Sequence, residues 1–482
     1  MRRLLSLTFV FLAMLVGVAQ HAGVASAAGY PTGVSYVSDN DPTTFSRVAG
    51  AGATMVHSWV RWDQIAPAVE PESWNPRNPV DPNYNWSALD TWVTNAVAAG
   101  LTPMLQVYYS PDWADRCVTN PPITITDPPC DPDPAAMADF GRALAKRYDG
   151  NTLGLPKVRY FQGQNEPNLG LFFGPQRNAR GVPVSPRLYR TLLNRFYEAV
   201  KSVDSRNIVI SAGLAPNPNH WALAPLDFAR RLFCMVGRAK PKPTRAKCTV
   251  KADIVDMHPY TSGGPTHKAL NLDGIQLGDL GKLKKLVAAA DRAHRIKGMY
   301  ARTPLWVTEM SWDSNRPDPG GVPMNLLRRW TSQAVYQAWK AKVARFFWYS
   351  LRDQSPNGLP WSATTQSGLY FRGDTVEQDR AKPILQAFRF PFVAFGKGKK
   401  AIFVWGRNPQ AQRGWVSIQR FRHGRWQKLK PVMADSGGLF RRVIRVPAGS
   451  NRAGTVRAVF RGQVSVPFSL KAVKDRPARP FG

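Results

Sequence analysis

Several common signals are missing from this 482-residue chain, and each absence removes a class of function. There are only four cysteines, none in a Cys-x-x-Cys pair, and the seven histidines do not cluster, so no metal site is expected. No Gly-x-Gly-x-x-Gly follows the first strand-like run, which argues against a dinucleotide fold, and no cofactor is called for. The one long apolar stretch, Leu4 to Val18, is cut short by Gln20 and His21 and is too brief for a membrane span. The residue directly after Ala25-Ser26-Ala27 is Ala28 and not cysteine, so a lipid anchor is not indicated. Carboxylates are scarce as well: 32 Asp and Glu against 65 Lys and Arg, a formal net charge of +33.

What is present at the N-terminus reads as a secretory signal over residues 1–27. Arg2 and Arg3 form the charged start, the apolar stretch follows, and Ala25-Ser26-Ala27 supplies the cleavage site. The expectation is a secreted, extracellular protein with no integral membrane contact. The four cysteines suit that oxidising setting. Cys117 and Cys130 lie thirteen residues apart, Cys234 and Cys248 fourteen. Three pairings are possible; the two local ones need least rearrangement of the chain, and each would stabilise by roughly 3 kcal/mol.

Positive charge gathers at the C-terminal end, where Pro391 to Gly482 carries 20 Lys and Arg against 2 Asp. Such a module suits anionic partners, above all a cell-envelope polymer or acidic polysaccharide; nucleic acid is not expected for an exported chain. A solvated basic face with no partner is the alternative.

From Tyr30 onward, strand-like and helix-like segments alternate. Strands are expected at 33–37, 54–62, 101–109, 157–164, 207–212, 252–258, 303–308 and 344–351. Helices are expected after each, at about 41–51, 87–99, 133–148, 185–203, 226–236, 280–296, 325–341 and 382–390. Asp133-Pro134 and Ser185-Pro186 supply cap-then-proline starts, and Ser87 with Asp90 suggests a capping box. Eight such pairs predict an α/β fold, a (β/α)₈ TIM barrel over 28–390. After Phe390 only period-two alternation remains, at 401–405, 415–419, 425–429, 439–446 and 456–460. It predicts a small all-β sandwich over 391–470, followed by a loose basic tail at 471–482.

In such a barrel the C-terminal strand ends converge on one face, so residues distant in sequence become neighbours. There the chain places Tyr36, then Trp59 and Arg61, Gln106, Asn165-Glu166, His258 and Tyr260, Glu309 and Trp312, and Trp348. Asn165-Glu166-Pro167 and Glu309 are carboxylates at the ends of apolar strands, a costly placement usually tolerated for chemistry. Two carboxylates among aromatic side chains suit sugar chemistry.

This set resembles the retaining (β/α)₈ glycoside hydrolases of the cellulase and β-xylosidase superfamily, clan A, with family 39 nearest in pattern. The resemblance rests on Asn165-Glu166-Pro167, His258-Pro259-Tyr260, Glu309, Trp348 and the closing Gly368-Leu-Tyr370 with Lys382-Pro383. It implies a secreted glycosidase acting on a β-linked poly- or oligosaccharide, with Glu166 as acid/base and Glu309 as nucleophile. Asn165 would bind the sugar 2-hydroxyl, and His258 and Tyr260 would orient the carboxylates. Arg61 would keep Glu309 ionised, with Tyr36, Trp312 and Trp348 also at the substrate. A structural ion pair is the alternative for Arg61. One departure is Gln106-Val-Tyr-Tyr109, where family 5 cellulases carry histidine. A catalytically inactive carbohydrate- or cell-wall-binding protein on the same barrel is the rival reading.

Overall fold

The computed structural model describes residues 29–117, 130–218, 221–246, 248–447 and 449–478. The expected signal segment lies outside the described residues. Eight parallel strands form the central sheet: β1 (Thr32–Ser35), β2 (Met55–Arg61), β3 (Thr102–Tyr108), β4 (Tyr160–Gly163), β5 (Ile208–Ile210), β6 (Val255–Asp256), β7 (Leu305–Val307) and β8 (Arg345–Tyr349). Their order is β5-β4-β3-β2-β1-β8-β7-β6, and a parallel bridge between Ile210 and Ile254 closes the ring. The predicted barrel is therefore the observed one.

A helix of the outer ring follows each strand: α1 (Pro42–Gly50), α2 (Ser87–Ala98), α3 (Pro134–Arg147), α4 (Ser185–Val203), α5 (Pro225–Leu232), α6 (Leu280–Arg292), α7 (Met324–Lys340) and α8 (Pro383–Arg389), with one extra helical turn, Trp62–Ile65, directly after β2. Local chemistry sets several starts. Asp133 accepts from the amides of Ala135 and Ala136 at 2.6 and 3.0 Å, and Pro134 takes the first position, where no donor is needed. The capping box expected at Ser87 does not form. Asp90 turns instead to Arg147, to which it accepts at 2.7 Å, and to the Tyr148 hydroxyl at 2.9 Å, because a cation is within reach and a backbone amide is a weaker partner. Nor does Ser185 cap: its hydroxyl donates to Gln176 at 3.0 Å and Val184 takes the cap position.

Helix α4 lays Tyr189, Leu192, Leu193, Phe196 and Val200 against the barrel and α3. Each fully buried large apolar side chain of this kind contributes roughly 2–3 kcal/mol. Gly141 permits the contact, since a Cβ there would come within 2.7 Å of the Phe196 ring. Inside the barrel the lower layer is apolar, built from Met55, Met104, Ile208, Ile210, Ile254, Trp306 and Phe347. The layer above it is polar yet fully buried, with His57, Gln106, Gln162, Asp256 and Thr308. Burying such groups is tolerated only when they are hydrogen-bonded, so this layer is a network by necessity.

After α8 the chain builds two antiparallel sheets. The first is β9 (Phe392–Lys397), β10 (Ala401–Arg407) and β14 (Leu439–Arg445). The second contains β11 (Gly414–Arg422), β12 (Arg425–Lys428), β13 (Val432–Ala434), β15 (Thr455–Phe460), β16 (Gln463–Val464) and β17 (Phe468–Ser469). The first sheet docks on the barrel: the Trp405 ring lies 5.4 Å from both Tyr336 and Trp339 of α7. Buried Arg407 donates to Tyr30 O and Thr32 Oγ1, each at 2.9 Å, and so ties the module to the start of β1.

Disulfides join Cys117 to Cys130 and Cys234 to Cys248, the two local pairings. The C-terminal segment departs from expectation. Residues 471–478, read as a loose tail, return to the barrel, where Asp475 accepts from the Gly264 amide at 2.7 Å and pairs with the His267 ring. The Ala478 amide donates to Ser262 O at 3.0 Å. A carboxylate in a basic tail found a histidine and a bare amide, which composition alone does not reveal.

Candidate active site

The site lies where the strands exit the barrel at their C-terminal ends. Four residues there, Tyr36, Tyr109, Gln164 and Glu166, hold left-handed backbone at φ 54, 50, 78 and 35. Such conformations are unfavourable for non-glycine residues, by about 1–3 kcal/mol each, and gather at functional sites. The turn after β4 aims Glu166 at the mouth, and the end of β7 delivers Glu309; both carboxyls are nearly buried, at 8% and 5% exposure.

His258, just past β6, stands between them. Its Nδ1 lies 2.9 Å from Glu166 Oε1 and 3.6 Å from Glu309 Oε2. Gly213 makes room for this ring, since a Cβ there would come within 2.1 Å of Nε2. Tyr260 donates its hydroxyl to Glu309 Oε2 at 2.9 Å. The second oxygen of Glu309, Oε1, is buried and has no hydrogen-bond partner among the described residues. Leaving a carboxylate oxygen so placed is expensive.

Below the ring, a relay fixes its proton. Asp256 accepts from the Met257 amide at 2.8 Å, from Gln162 Nε2 at 2.8 Å and from the Thr308 amide at 3.1 Å. Thr308 Oγ1 is also in close contact with Asp256 Oδ2, to which its single hydrogen goes. The Thr308 oxygen is then an acceptor, and His258 Nε2, 3.0 Å away, must donate to it. This leaves Nδ1 to share a proton with Glu166.

Electrostatics follow this arrangement. Burial opposes a charged ring at His258, but Glu309, Asp256 and Glu166 outweigh it and hold its pKa well above the ordinary value. Burial pushes the Glu309 carboxyl up to about 7; His258 and the Tyr260 hydrogen bond pull it down, and Glu166 adds to the rise. His57 is pushed down to about 4 by burial and by repulsion from His258, and so remains neutral.

Gln106 continues the network. Its Nε2 donates to Gln164 O at 3.0 Å and to Asn165 Oδ1 at 3.1 Å, and its Oε1 faces His57 Nε2 at 2.8 Å. With the Asn165 oxygen occupied, its amide nitrogen is the end offered to the cleft that Asn165 lines.

That cleft, about 340 Å³, is bounded by Trp59, Asn165, Glu166, Phe172, Tyr260, Glu309 and Tyr349, among others. At Trp59 it meets a larger hollow of about 590 Å³, lined in part by Tyr36, Arg61, Asn85, Tyr108 and Tyr109. Tyr36 packs on Trp59 and Tyr349 with centroids 4.5 and 5.4 Å apart, and Trp59 stacks on Tyr108 at 4.7 Å. The mouth is thus walled with rings.

Of the residues singled out from the sequence, Glu166, Glu309, Asn165, His258 and Tyr260 come together, and Tyr36 borders the hollow beside them. Arg61 does not serve Glu309. It clasps Asp63 through two contacts at 2.5 and 2.8 Å and lies 4.9 Å above the Tyr109 ring, a carboxylate two residues away being the nearer partner. Trp348 and Trp312 are fully buried and offer no face to the cleft. Trp348 donates to Ser367 O at 2.8 Å and packs toward Phe388 of α8; Trp312 donates to Gly263 O at 2.9 Å and packs on Trp330 of α7. Alternation along β8 turns Phe347 and Tyr349 inward and Trp348 outward, so Tyr349 is the aromatic at the mouth. Asp256 and Thr308 were missed; the available signal was a polar residue directly after the apolar runs Ile254-Val255 and Leu305-Trp306-Val307.

Compared by sequence, the chain matches no family profile and no characterised protein. Solved structures are similar to it. A family 39 glycoside hydrolase from the gut symbiont Bacteroides cellulosilyticus WH2 aligns at 16% identity over 86% of this chain and 81% of that one, with a TM-score of 0.50. A GH39 enzyme from Xanthomonas axonopodis pv. citri aligns at 14% identity over 87% and 92%, with a TM-score of 0.49. A monomeric β-xylosidase from Caulobacter crescentus CB15 aligns at 15% over 88% and 95%, also at 0.49. At these identities the likeness is one of fold.

Proposed function

We propose that this protein is a secreted retaining glycosidase that hydrolyses a β-linked poly- or oligosaccharide. The observation that carries the reading is the pair of buried carboxyls sharing one imidazole nitrogen. Two groups at 2.9 and 3.6 Å from the same atom have those oxygens no farther apart than the sum of these distances. Such closeness is compatible with the roughly 5–5.5 Å between the carboxyl groups of a retaining pair.

In the proposed first step, Glu309 Oε1 attacks the anomeric carbon while Glu166 gives its proton to the departing glycosidic oxygen. The glycosidic bond breaks and a glycosyl ester on Glu309 forms. In the second step Glu166 removes a proton from a water that attacks the same carbon, and the ester bond to Glu309 breaks, restoring both carboxyls. The unpaired Oε1 is the oxygen free to react, and Tyr260 orients the carboxylate through Oε2. The contact of His258 Nδ1 with Glu166 Oε1 at 2.9 Å, held from below through Thr308, fixes the orientation of the Glu166 carboxyl and supports its assignment as acid/base. The Asn165 amide would strengthen its hold on the 2-hydroxyl as charge develops. Rings at Trp59 and Tyr349 suit the C–H faces of sugars.

Secretion is supported by the signal-like residues 1–27 and by two disulfides. Among the described residues no helix is long and apolar enough to cross a membrane.

The test is mass spectrometry after incubation with a panel of 2-fluoro-glycosides. A sugar adduct on Glu309 is the expected result and identifies the sugar. Absence of turnover and of adducts across the panel, with retained glycan binding, would favour the inactive binder.

A further inference from the structure

The second sheet of the C-terminal module presents its outer face away from the barrel. The first sheet packs Trp405 and Phe403 against Tyr336 of α7. Among the described residues the second sheet meets the barrel only along its β16–β17 edge, where Arg329 of α7 donates to Ser469 O and lies over the Phe468 ring. Along β11, Val416, Ile418 and Arg420 point inward and are buried, so Trp415, Ser417, Gln419 and Phe421 point outward. Register completes the face: Met433 of β13 lies opposite Trp415, Trp426 of β12 opposite Phe421, and Arg457 of β15 opposite Gln419.

This face is unusual for a solvent surface. Trp415 is 61% exposed and Phe421 44%, at the two ends of one strand. They stand six residue steps apart along the strand, roughly 20 Å, the reach of a short oligosaccharide. Between them Arg457 is held in place: its Nε donates to Gln419 Oε1 at 2.9 Å, and its guanidinium lies 4.0 Å above the Trp426 ring, which in turn packs on Phe421 at 5.3 Å. Lys428, exposed, sits opposite Gln419. The five strands β11, β12, β13, β15 and β16 contain no Asp or Glu.

We propose that this face binds an acidic polysaccharide, one carrying uronic acid units, with Trp415, Phe421 and Trp426 stacking on sugar rings and Arg457 and Lys428 meeting the carboxylates. Sheet-borne rings spaced along a strand fit a chain of flat sugar faces, and a pre-positioned guanidinium fits a carboxylate. The lack of any acidic side chain removes repulsion. The choice of a glycan over single-stranded nucleic acid, which also pairs rings with cations, rests on the glycosidase reading of the barrel.

The experiment uses the full chain in native affinity gels containing polygalacturonate, with hydroxyethylcellulose, poly-glutamate and oligo-dT as comparison polymers. Wild type should be retarded most by polygalacturonate, with retardation falling as salt rises. Trp415→Ala/Phe421→Ala should weaken retention by about tenfold or more. Arg457→Gln should weaken it and reduce the salt dependence. Both variants should keep wild-type melting temperature and aryl-glycoside turnover, since these residues lie outside the cleft. Equal retention of the aromatic variant, equal retardation by poly-glutamate, stronger binding to oligo-dT, or self-association lost in the variant would each overturn the proposal. The readout is binding, so an inactive barrel does not affect it.

Discussion

Gln106 donates to the amide oxygen of Asn165 at 3.1 Å, and this one bond decides which end of Asn165 meets the cleft. The same glutamine faces His57, whose ring is kept neutral by burial. Replacing Gln106 with leucine removes both partners. On the proposed mechanism, where the Asn165 contact strengthens as charge develops, we expect kcat on an aryl glycoside to fall about 10- to 100-fold with little change in KM. Chemical denaturation should show a loss of about 1–3 kcal/mol for the orphaned His57 and Asn165. Unchanged kcat would mean that Asn165 needs no such support.

Glu309→Gln should abolish turnover, by at least about 10³-fold, and its effect on stability should depend on pH. The folded carboxyl titrates near 7, above its ordinary value of 4.5. Between those values the unfolded chain releases its proton first, so the contribution of Glu309 to stability falls as pH rises through this window. The variant should therefore gain in melting temperature relative to wild type between pH 5 and pH 8, by the equivalent of about 1–3 kcal/mol. A constant difference across that range would contradict the assignment.

The acidic limb of kcat/KM should report ionisation of Glu309, with its midpoint near pH 7. Tyr260 donates to the carboxylate and so favours its ionised form. In Tyr260→Phe the limb should move to higher pH and the plateau should drop. A shift to lower pH would show that the phenol does not stabilise the anion.

Removing residues 471–482 should loosen the loop after His258 and Tyr260. Asp475 and Ala478 hold Gly264, His267 and Ser262, which lie two to seven residues beyond Tyr260. We expect faster hydrogen exchange over residues 261–267 and a raised KM in the truncated chain. Asp475→Asn should reproduce part of the change. Exchange rates identical to wild type would reduce the tail to a surface decoration.

Local pattern carried much of this molecule. Alternating apolar strands and capped helices specify eight β/α units, because each must bury one face and the only common layer for parallel strands is a sheet covered by helices. The change to period two after Phe390 marked the second module for the same reason, although β9, β13, β16 and β17 escaped notice as short edge or junction strands. Asn165, Glu166, His258, Tyr260 and Glu309 were legible because a polar residue ending an apolar strand is conspicuous.

What the sequence determined by itself is therefore periodicity, the strand ends and the carboxylates placed on them, all of which are properties of neighbouring residues. Tertiary structure decided the rest. Four aromatic residues run from Phe346 to Tyr349, and only the strand register shows that Tyr349 faces the cleft while Trp348 packs beneath α8. Arg61 chose Asp63 over Glu309, and Asp475 crossed 208 positions to reach His267, because charges pair by distance in space. The high pKa of Glu309 arises from burial and from Glu166, against the pull of His258, and these groups come from different strands. Direction, distance and desolvation belong to the folded chain.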